Sequence, residues 1–414
     1  MNKIHKKIIL KENTRYRVDR EIVEDGIIIY DKDKDEGLKI SNHHFELFQK
    51  LSFKNIRSIK QSYNLIWINE NEKVYKKEKI IEFESDNSFW VKNFIGILKL
   101  KNENSTILLE IGTRFDKEKK YNFLQAMLES YFAGGVQKSP SVPQDNVNIL
   151  DILLIYIYAN KLKLAYQKGL LKIYQNKKYN DYNLKGKIDF SRHIKGNTPF
   201  MGKVAYNKRE HSYDNPIMWL VLQAYDYINA RYSQVWNDVY GKDTVIKEAI
   251  RIINENTPSY YSSMNLINNK EANKKVAHPY YKEYEELRKI SIDIIKRNGL
   301  SVYGQDKEEI SGILVYVPTL WEKFLFNEVF NKIKIKPEIK EQEKIKVLKK
   351  TQDEKIKYFY SNYIDFYIKF NDRKYILDAK YSAKWNGENY DKDAIRQVVN
   401  YIHLTNANVG GVIC

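Results

Sequence analysis

The feature that most constrains this chain is a pair of alternating segments near the C-terminus, separated by two turn residues. Within residues 363–380 both arms alternate as half-buried strands do, and Asn371-Asp372 between them is typical of a two-residue hairpin turn. Such a turn places Asp365 directly opposite Asp378, with Lys380 on the same face as Asp378. Like charges that face each other destabilise a sheet pair. The pairing therefore predicts a divalent cation between the two carboxylates.

An aspartate opposite an Asp-x-Lys strand suits metal-assisted hydrolysis of a phosphodiester. Mg²⁺ prefers one or two carboxylates together with water and substrate phosphate. It polarises the phosphoryl oxygen and lowers the pKa of an attacking water. We expect Asp365 and Asp378 to supply the carboxylates and the carbonyl of Ala379 to supply a further oxygen. Lys380 is expected to orient the water and to stabilise charge in the transition state.

The Asp-x-Lys triplet is weak support by itself. The chain has 70 Lys and Arg residues and 53 Asp and Glu residues. With so many charges, roughly nine acid-x-base triplets are expected by chance. The hypothesis therefore depends on the facing aspartate and on the segments around the hairpin.

The segment after the hairpin predicts a helix over residues 391–404. Apolar residues recur there at helical spacing; they are Ile395, Val398, Val399 and Ile402. Asp393, Gln397 and Tyr401 form a polar stripe along one side. We expect Gln397 and Tyr401 to position substrate phosphate near the metal. A solvated helix face is the alternative interpretation.

A second helix is predicted upstream, beginning at Leu320. Glu322 interrupts its apolar residues, and it either points to solvent or joins the two aspartates as a further metal ligand. The Lys- and Glu-rich residues 332–357 are expected to form strands, and the last strand is expected at 409–414. This order predicts a C-terminal α/β core with a mixed sheet.

Three passages resemble the McrC family, the nuclease subunit of McrBC-type restriction systems within the PD-(D/E)xK nuclease superfamily. They are Leu377-Asp378-Ala379-Lys380-Tyr381, the helix start Val317–Phe324, and a central signature that runs from Leu184–Phe190 through Asp214-Asn215-Pro216 to Leu220. The resemblance covers roughly residues 105–414. Ile111–Phe115 only loosely matches a short basic motif of the family, and Ile364 replaces the proline of the superfamily pattern.

The resemblance implies a Mg²⁺-dependent DNA endonuclease, with Mn²⁺ as a substitute metal. It implies catalytic roles for Glu322, Asp365, Asp378, Lys380 and Gln397, with Tyr401 in support. Such subunits cut double-stranded DNA when docked through their N-terminal part on a hexameric AAA+ GTPase that recognises modified DNA. For double-strand cleavage, dimerisation of assemblies is expected. The chain has no Gly-x-x-x-x-Gly-Lys-[Ser/Thr] motif, so it is not expected to be the motor.

Two other functions remain open at the level of sequence. One is a stand-alone repair or recombination nuclease, which would cut without a partner or nucleotide. The other is a non-catalytic adaptor that activates a ring NTPase. The intact Asp-x-Lys motif favours a nuclease over the adaptor.

Composition agrees with a cytoplasmic protein that binds a polyanion. The net charge is +17, which suits nucleic acid. The single cysteine, Cys414, excludes intrachain disulfides and cysteine-based zinc sites. Neither a signal peptide nor an apolar run long enough for a membrane span is expected.

The fold class expected is a multidomain α+β protein. We predict a β-rich N-terminal region for docking to the AAA+ partner over residues 1–140, a mainly helical domain over 141–310, and the nuclease domain over 311–414. Ser139–Pro143 is the best linker candidate. His43-His44 is interpreted as a pair of surface residues on a strand. The polar residues before the helix at 219–232 either contact a partner or fix two elements together; they are Asp189, Arg192, His193, Arg209, Glu210, His211 and Asp214.

Overall fold

The computed structural model describes residues 4–20, 26–31, 37–56, 58–59, 64–68, 78–85, 88–101, 105–115, 122–133, 149–295, 310–333, 337–352, 355–381 and 391–414. Its contacts divide the chain into two compact units. One combines Met1–Ile152 with Tyr303–Cys414, and the other is Leu153–Val302. The three predicted domains stay a prediction, but the grouping shows that the two ends of the chain fold together. The predicted linker at 139–143 lies outside the described residues.

The described chain contains both strands and helices. The strands are β1 (Ile4–Lys11), β2 (Thr14–Arg20), β3 (Gly26–Asp31), β4 (Gly37–Ser41), β5 (Asn64–Ile68), β6 (Ile81–Ser85), β7 (Ser88–Val91), β8 (Phe94–Lys101), β9 (Ser105–Gly112), β10 (Ile173–Asp181), β11 (Lys187–Ile188), β12 (Val204–Ser212), β13 (Ile310–Tyr316), β14 (Glu338–Gln352), β15 (Lys355–Phe370), β16 (Arg373–Ala379) and β17 (Val409–Ile413). The α-helices are α1 (Asn42–Ser52), α2 (Asn122–Ala133), α3 (Ile149–Tyr166), α4 (Phe190–Gly196), α5 (Pro216–Tyr240), α6 (Thr244–Glu255), α7 (Lys282–Ile295), α8 (Val317–Glu328) and α9 (Lys392–Thr405). No helix in these described ranges combines the length and the apolar character needed to cross a membrane.

The N-terminal region is rich in strands, as predicted, and also contains α1. One five-stranded antiparallel sheet has the order β4-β3-β2-β7-β6. Helix α1 begins after Ser41, whose side chain accepts a hydrogen bond from the backbone N–H of His44. His44 is buried, with its ring nitrogen Nδ1 2.8 Å from Ser41 Oγ. The predicted strand is therefore wrong for both histidines, because Ser41 starts a helix here; the surface position is correct for His43 and wrong for His44.

The second N-terminal sheet includes a strand from the C-terminal part of the chain. Its order is β1-β9-β8-β13-β5. Strands β8 and β13 approach each other closely at two glycines. A Cβ on Gly96 would lie 2.0 Å from the carbonyl oxygen of Ile313, and one on Gly312 would lie 2.1 Å from that of Ile97. β13 leads directly into α8, so this contact fixes where α8 begins.

The C-terminal segment forms a mixed four-stranded sheet, and its elements follow the predicted order. The strand order is β14-β15-β16-β17, with the first two pairs antiparallel and β16 parallel to β17. Helix α8 packs against β15 through Leu325 and Phe366. Tyr401 of α9 packs with Tyr367 and Ile376. Because Phe366 and Tyr367 point to opposite faces of β15, the two helices cover the two faces of the sheet.

The middle unit contains the predicted helices and also a sheet that was not predicted. Strands β10, β12 and β11 form this antiparallel sheet. Along β10 half-buried and exposed residues alternate, and several positions are lysine or asparagine, which weakens the apolar pattern. The prediction of a mainly helical region is therefore incomplete.

Residues of the central signature fix helix ends in this unit. Asp189 accepts a hydrogen bond from the backbone of Arg192 at the start of α4, and Asn215 does the same for Met218 at the start of α5. Buried Asp214 accepts hydrogen bonds from the side chains of Trp219 (2.7 Å) and Ser259 (2.6 Å). For Asp189, Arg192 and Asp214 the structural interpretation therefore accounts for the contacts.

Candidate active site

The hairpin has the register expected from the sequence. Strands β15 and β16 pair with Phe366 opposite Leu377. Both turn residues of Asn371-Asp372 have positive φ, 46° and 59°, as a type I′ turn requires. The ladder ends at this pair, and Asp365 and Asp378 are the next residues along the same register.

The two aspartates lie side by side at the end of the paired region. Oδ2 of Asp365 accepts a hydrogen bond of 2.8 Å from the backbone N–H of Ala379. Asp378 is only 1% exposed. Burial, followed by the charge of Asp378, raises the pKa of Asp365 to about 6. Burial also raises the pKa of Asp378, although Lys380 opposes this shift.

Lys380 lies against Asp378, on the face expected from strand alternation. Its Nζ is 2.8 Å from Oδ2 of Asp378 and donates a hydrogen bond of 3.1 Å to Oε1 of Gln397. The contact with Asp378 is an ion pair between the ammonium of Lys380 and a buried carboxylate oxygen. Burial lowers the pKa of Lys380, but Asp378 and Asp365 together raise it by more than burial lowers it. The pKa of Lys380 is therefore above its usual value.

Gln397 and Tyr401 lie at the site on helix α9. Nε2 of Gln397 donates to the hydroxyl of Tyr401 at 2.7 Å, and that hydroxyl donates to the carbonyl of Tyr363 at 3.0 Å. Tyr401 is buried and holds Gln397 against Lys380. Gln397 and Tyr401 therefore face the sheet, whereas Asp393 of the predicted polar stripe is exposed.

The buried face of α9 differs from the predicted apolar face. Ala394, Val398 and Tyr401 are buried, whereas Ile395 and Val399 are exposed. The prediction that these two residues belong to the buried face was wrong, because the ring of Tyr401, which was counted as polar, packs in the core.

Glu322 lies beside the aspartates and does not point away from them. It is half-buried on α8, and its Oε2 accepts a hydrogen bond of 3.0 Å from Nε2 of Gln342. The same Nε2 donates to Oδ1 of Asp365, also at 3.0 Å. Burial, followed by the charges of Asp365 and Asp378, raises the pKa of Glu322 to about 8. Gln342 was not predicted as a site residue.

A second set of residues that was not predicted holds the strand end next to Lys380. The hydroxyl of Tyr381 donates to Oε1 of Glu12 at 3.1 Å, and Nη2 of Arg114 donates to the carbonyl of Tyr381 at 2.7 Å. Glu12 is fully buried, and burial raises its pKa although Arg114 opposes the shift. Arg114 belongs to the loosely matching passage Ile111–Phe115, which was the only sequence signal for this contact.

The predicted metal ligands are compatible in type with a hard divalent cation. Glu322, Asp365 and Asp378 present carboxylate oxygens, and Oδ2 of Asp378 is buried with the ammonium of Lys380 beside it. As these described side chains stand, no three His, Cys, Asp or Glu residues converge closely enough to hold a metal ion. Metal ligation by these carboxylates and by the Ala379 carbonyl therefore stays a prediction.

Fold and site together define a mixed α+β protein with a carboxylate and lysine cluster at the end of a hairpin. The sequence profile of the family described as McrBC 5-methylcytosine restriction system component matches residues 90–412. The chain therefore belongs to this family, which confirms the predicted resemblance.

Two solved assemblies from Thermococcus gammatolerans contain chains similar to this one. The first, a refined half-complex from a tetradecameric assembly of McrB AAA+ hexamers with bound McrC, has 16% identity and a TM-score of 0.44, covering 98% of this chain and 87% of that chain. The second, the McrBC complex determined by cryo-electron microscopy, has 14% identity and a TM-score of 0.34, covering 78% of this chain and 87% of that chain. No curated protein sequence matches the chain.

Proposed function

We propose that the chain is the Mg²⁺-dependent DNA endonuclease subunit of a cytoplasmic McrBC-type restriction system, with a PD-(D/E)xK-type core at its C-terminus. The observation that carries this proposal is the hairpin end, where Asp365 and Asp378 meet and Lys380 Nζ lies 2.8 Å from Asp378. Facing carboxylates with an adjacent lysine are the groups that metal-assisted phosphodiester hydrolysis needs.

Each site residue has a distinct task in this proposal. Asp365, Asp378 and Glu322, with the carbonyl of Ala379, would hold the metal. Bound Mg²⁺ supplies Lewis-acid polarisation of the phosphoryl oxygen and a water of lowered pKa. Lys380 donates hydrogen bonds, orients the attacking water and offsets the negative charge that develops.

Gln397 and Tyr401 keep Lys380 in place. The Gln397 carbonyl oxygen accepts from Lys380, and its amide donates to Tyr401, which is anchored on the backbone of Tyr363. This chain of hydrogen bonds restricts the long lysine side chain to one arrangement. A preorganised donor stabilises the transition state without a cost of reorganisation during the reaction. Loss of Gln397 is expected to lower turnover more than DNA affinity.

We further propose that cleavage of double-stranded DNA needs an AAA+ GTPase of the McrB type. Family membership supports this, because the family is defined as a component of a restriction system. The net charge of +17 suits the DNA substrate. Two assemblies would have to meet for a double-strand break, since one site cuts one strand.

The test combines the purified chain and Mg²⁺ with methylated and unmethylated plasmid, with and without an McrB-type partner and GTP. Asp378→Ala is assayed in parallel. We expect the plasmid to be cut only when the partner and GTP are both present. Asp378→Ala should not cut, because it lacks a metal ligand. It should still assemble, because the substitution relieves repulsion between like charges.

Other outcomes separate the alternatives. Cutting by the chain alone would indicate a stand-alone nuclease. Stimulated GTP hydrolysis without any cutting would indicate an adaptor. Wild-type cleavage rates in Asp378→Ala would show that the site is wrongly assigned.

A further inference from the structure

Gln342 has a backbone conformation that is unusual for its position. It lies within the fifteen-residue strand β14, yet its φ is +52°. Its neighbours Glu341 and Glu343 pair with Phe366 and Ile364 of β15. Gln342 itself, opposite Asp365, has no partner in this ladder. A left-handed conformation is uncommon for a residue other than glycine and is costly. The surrounding structure must therefore compensate for it.

The side chain of Gln342 bridges two carboxylates of the candidate site. Its Nε2 donates hydrogen bonds of 3.0 Å to Oε2 of Glu322 and of 3.0 Å to Oδ1 of Asp365. A side-chain amide has two N–H donors, so one group satisfies both contacts. The other oxygen of Asp365 accepts from Ala379, and Asp365 is thus held from two sides.

Glu322 and Asp365 come from separate elements and carry charges of the same sign. Helix α8 supplies the first and β15 the second, so nothing in local geometry brings them together. Two carboxylates repel each other, and a neutral donor between them offsets part of that repulsion. Hydrogen bonds of this kind orient carboxylates for a metal, and their loss weakens metal binding.

We propose that Gln342 is a positioning residue of the metal site: its amide orients Glu322 and Asp365 toward each other, and the left-handed backbone at Gln342 places the amide between them. The inference rests on the proposed function, because it assumes that these carboxylates bind a divalent cation. It adds a residue from β14, outside the hairpin and the two helices, to the site.

The contribution of the amide can be separated from that of the backbone. Gln342→Met keeps the length of the side chain and removes both donors. Gln342→Gly also removes the donors but accepts positive φ without strain. Lys344→Met makes the same kind of change at an exposed position two residues further along β14, and Asp378→Asn removes a proposed ligand.

Binding of Mn²⁺ to the full chain is measured by isothermal titration calorimetry, with thermal unfolding of each variant recorded in EDTA. We expect both Gln342 variants to bind Mn²⁺ about 10- to 100-fold more weakly than the wild type. Lys344→Met is expected to bind as the wild type does. Gln342→Gly is expected to unfold at a higher temperature than Gln342→Met, because its backbone is relaxed.

Several results would overturn the inference. Wild-type affinity in Gln342→Met would show that the amide does not position the carboxylates, and tighter binding would show that it competes with the cation. Weak binding in Gln342→Met with normal binding in Gln342→Gly would point to the backbone alone. If the wild type bound no Mn²⁺, or if Asp378→Asn bound it equally well, the proposed function itself would fail, and the inference with it.

Discussion

Glu322 makes stability depend on pH in the direction opposite to that of a typical salt-bridged carboxylate. Its pKa in the folded chain is raised from the ordinary 4.5 to about 8, by burial and then by the charges of Asp365 and Asp378. Between these pH values the folded protein keeps a proton that the unfolded chain has released. Stability rises with pH only where the unfolded state binds more protons. Here the folded state binds more, so stability falls as the pH rises through the interval.

The size of the effect follows from the proton difference. A full proton changes the free energy of unfolding by about 1.4 kcal/mol per pH unit. Between about pH 6 and pH 8, a folded pKa of about 8 gives a loss of about 2 kcal/mol. Glu322 is half-buried, and solvent screening reduces this to about 1 kcal/mol. For a chain of 414 residues the corresponding change in melting temperature is about 1–2 °C.

The assay is thermal unfolding in EDTA at these two pH values for the wild type, Glu322→Gln and Glu341→Gln. Glu341 is exposed on β14 and pairs with Lys323, so its variant is a control for loss of a nearby charge. The melting temperature of Glu322→Gln relative to the wild type should rise by about 1–2 °C from the lower to the higher pH. Mg²⁺ should stabilise the wild type more at the higher pH. A difference that stays constant, or that changes equally in Glu341→Gln, would refute the reasoning.

Three further predictions concern the framework of the site. Tyr381→Phe removes a hydrogen bond to buried Glu12 and should lower the free energy of unfolding by about 1–3 kcal/mol in urea; an unchanged midpoint would mean that the contact contributes nothing. Asp372 has a φ of 59°, so Asp372→Val should cost about 1–2 kcal/mol in thermal unfolding, whereas Asp372→Gly should cost nothing. Gly96→Ala would place a Cβ 2.0 Å from the backbone oxygen of Ile313 and should destabilise the protein by about 1–3 kcal/mol or more, measured by circular dichroism on heating.

The part of the site that depends on local pairing could be predicted from the sequence. A two-residue turn fixes the register of both strands, so Asn371-Asp372 suffices to place Asp365 opposite Asp378. Strand alternation then places Lys380 on the same face. The helical spacing of the residues after the hairpin was enough to predict that Gln397 lies at the site. Each of these inferences uses residues that are close in the chain.

Residues that arrive through tertiary structure were not predictable in the same way. Gln342 reaches the site because of a left-handed backbone within a strand, and glutamine has no sequence preference that signals this conformation. Glu12 meets Tyr381 across 369 positions of sequence. The sheet of the middle unit was missed because polar residues such as Gln175 and Lys177 occupy half-buried positions of β10, where apolar residues would have marked a strand.

The contacts of Tyr381 give the N-terminal region a physical connection to the site. Lys380 ends the Asp-x-Lys motif, its backbone N–H donates to the carbonyl of Ile413 at 2.9 Å, and the next residue is held by Glu12 and Arg114. Because Glu12 is buried, a shift of Glu12 would either break these hydrogen bonds or move the end of β16 as well. A displacement of β1 would therefore be transmitted to the backbone that carries Lys380. The two ends of the chain form one unit around this contact, which is why changes far from the carboxylates in sequence should alter the geometry of the site.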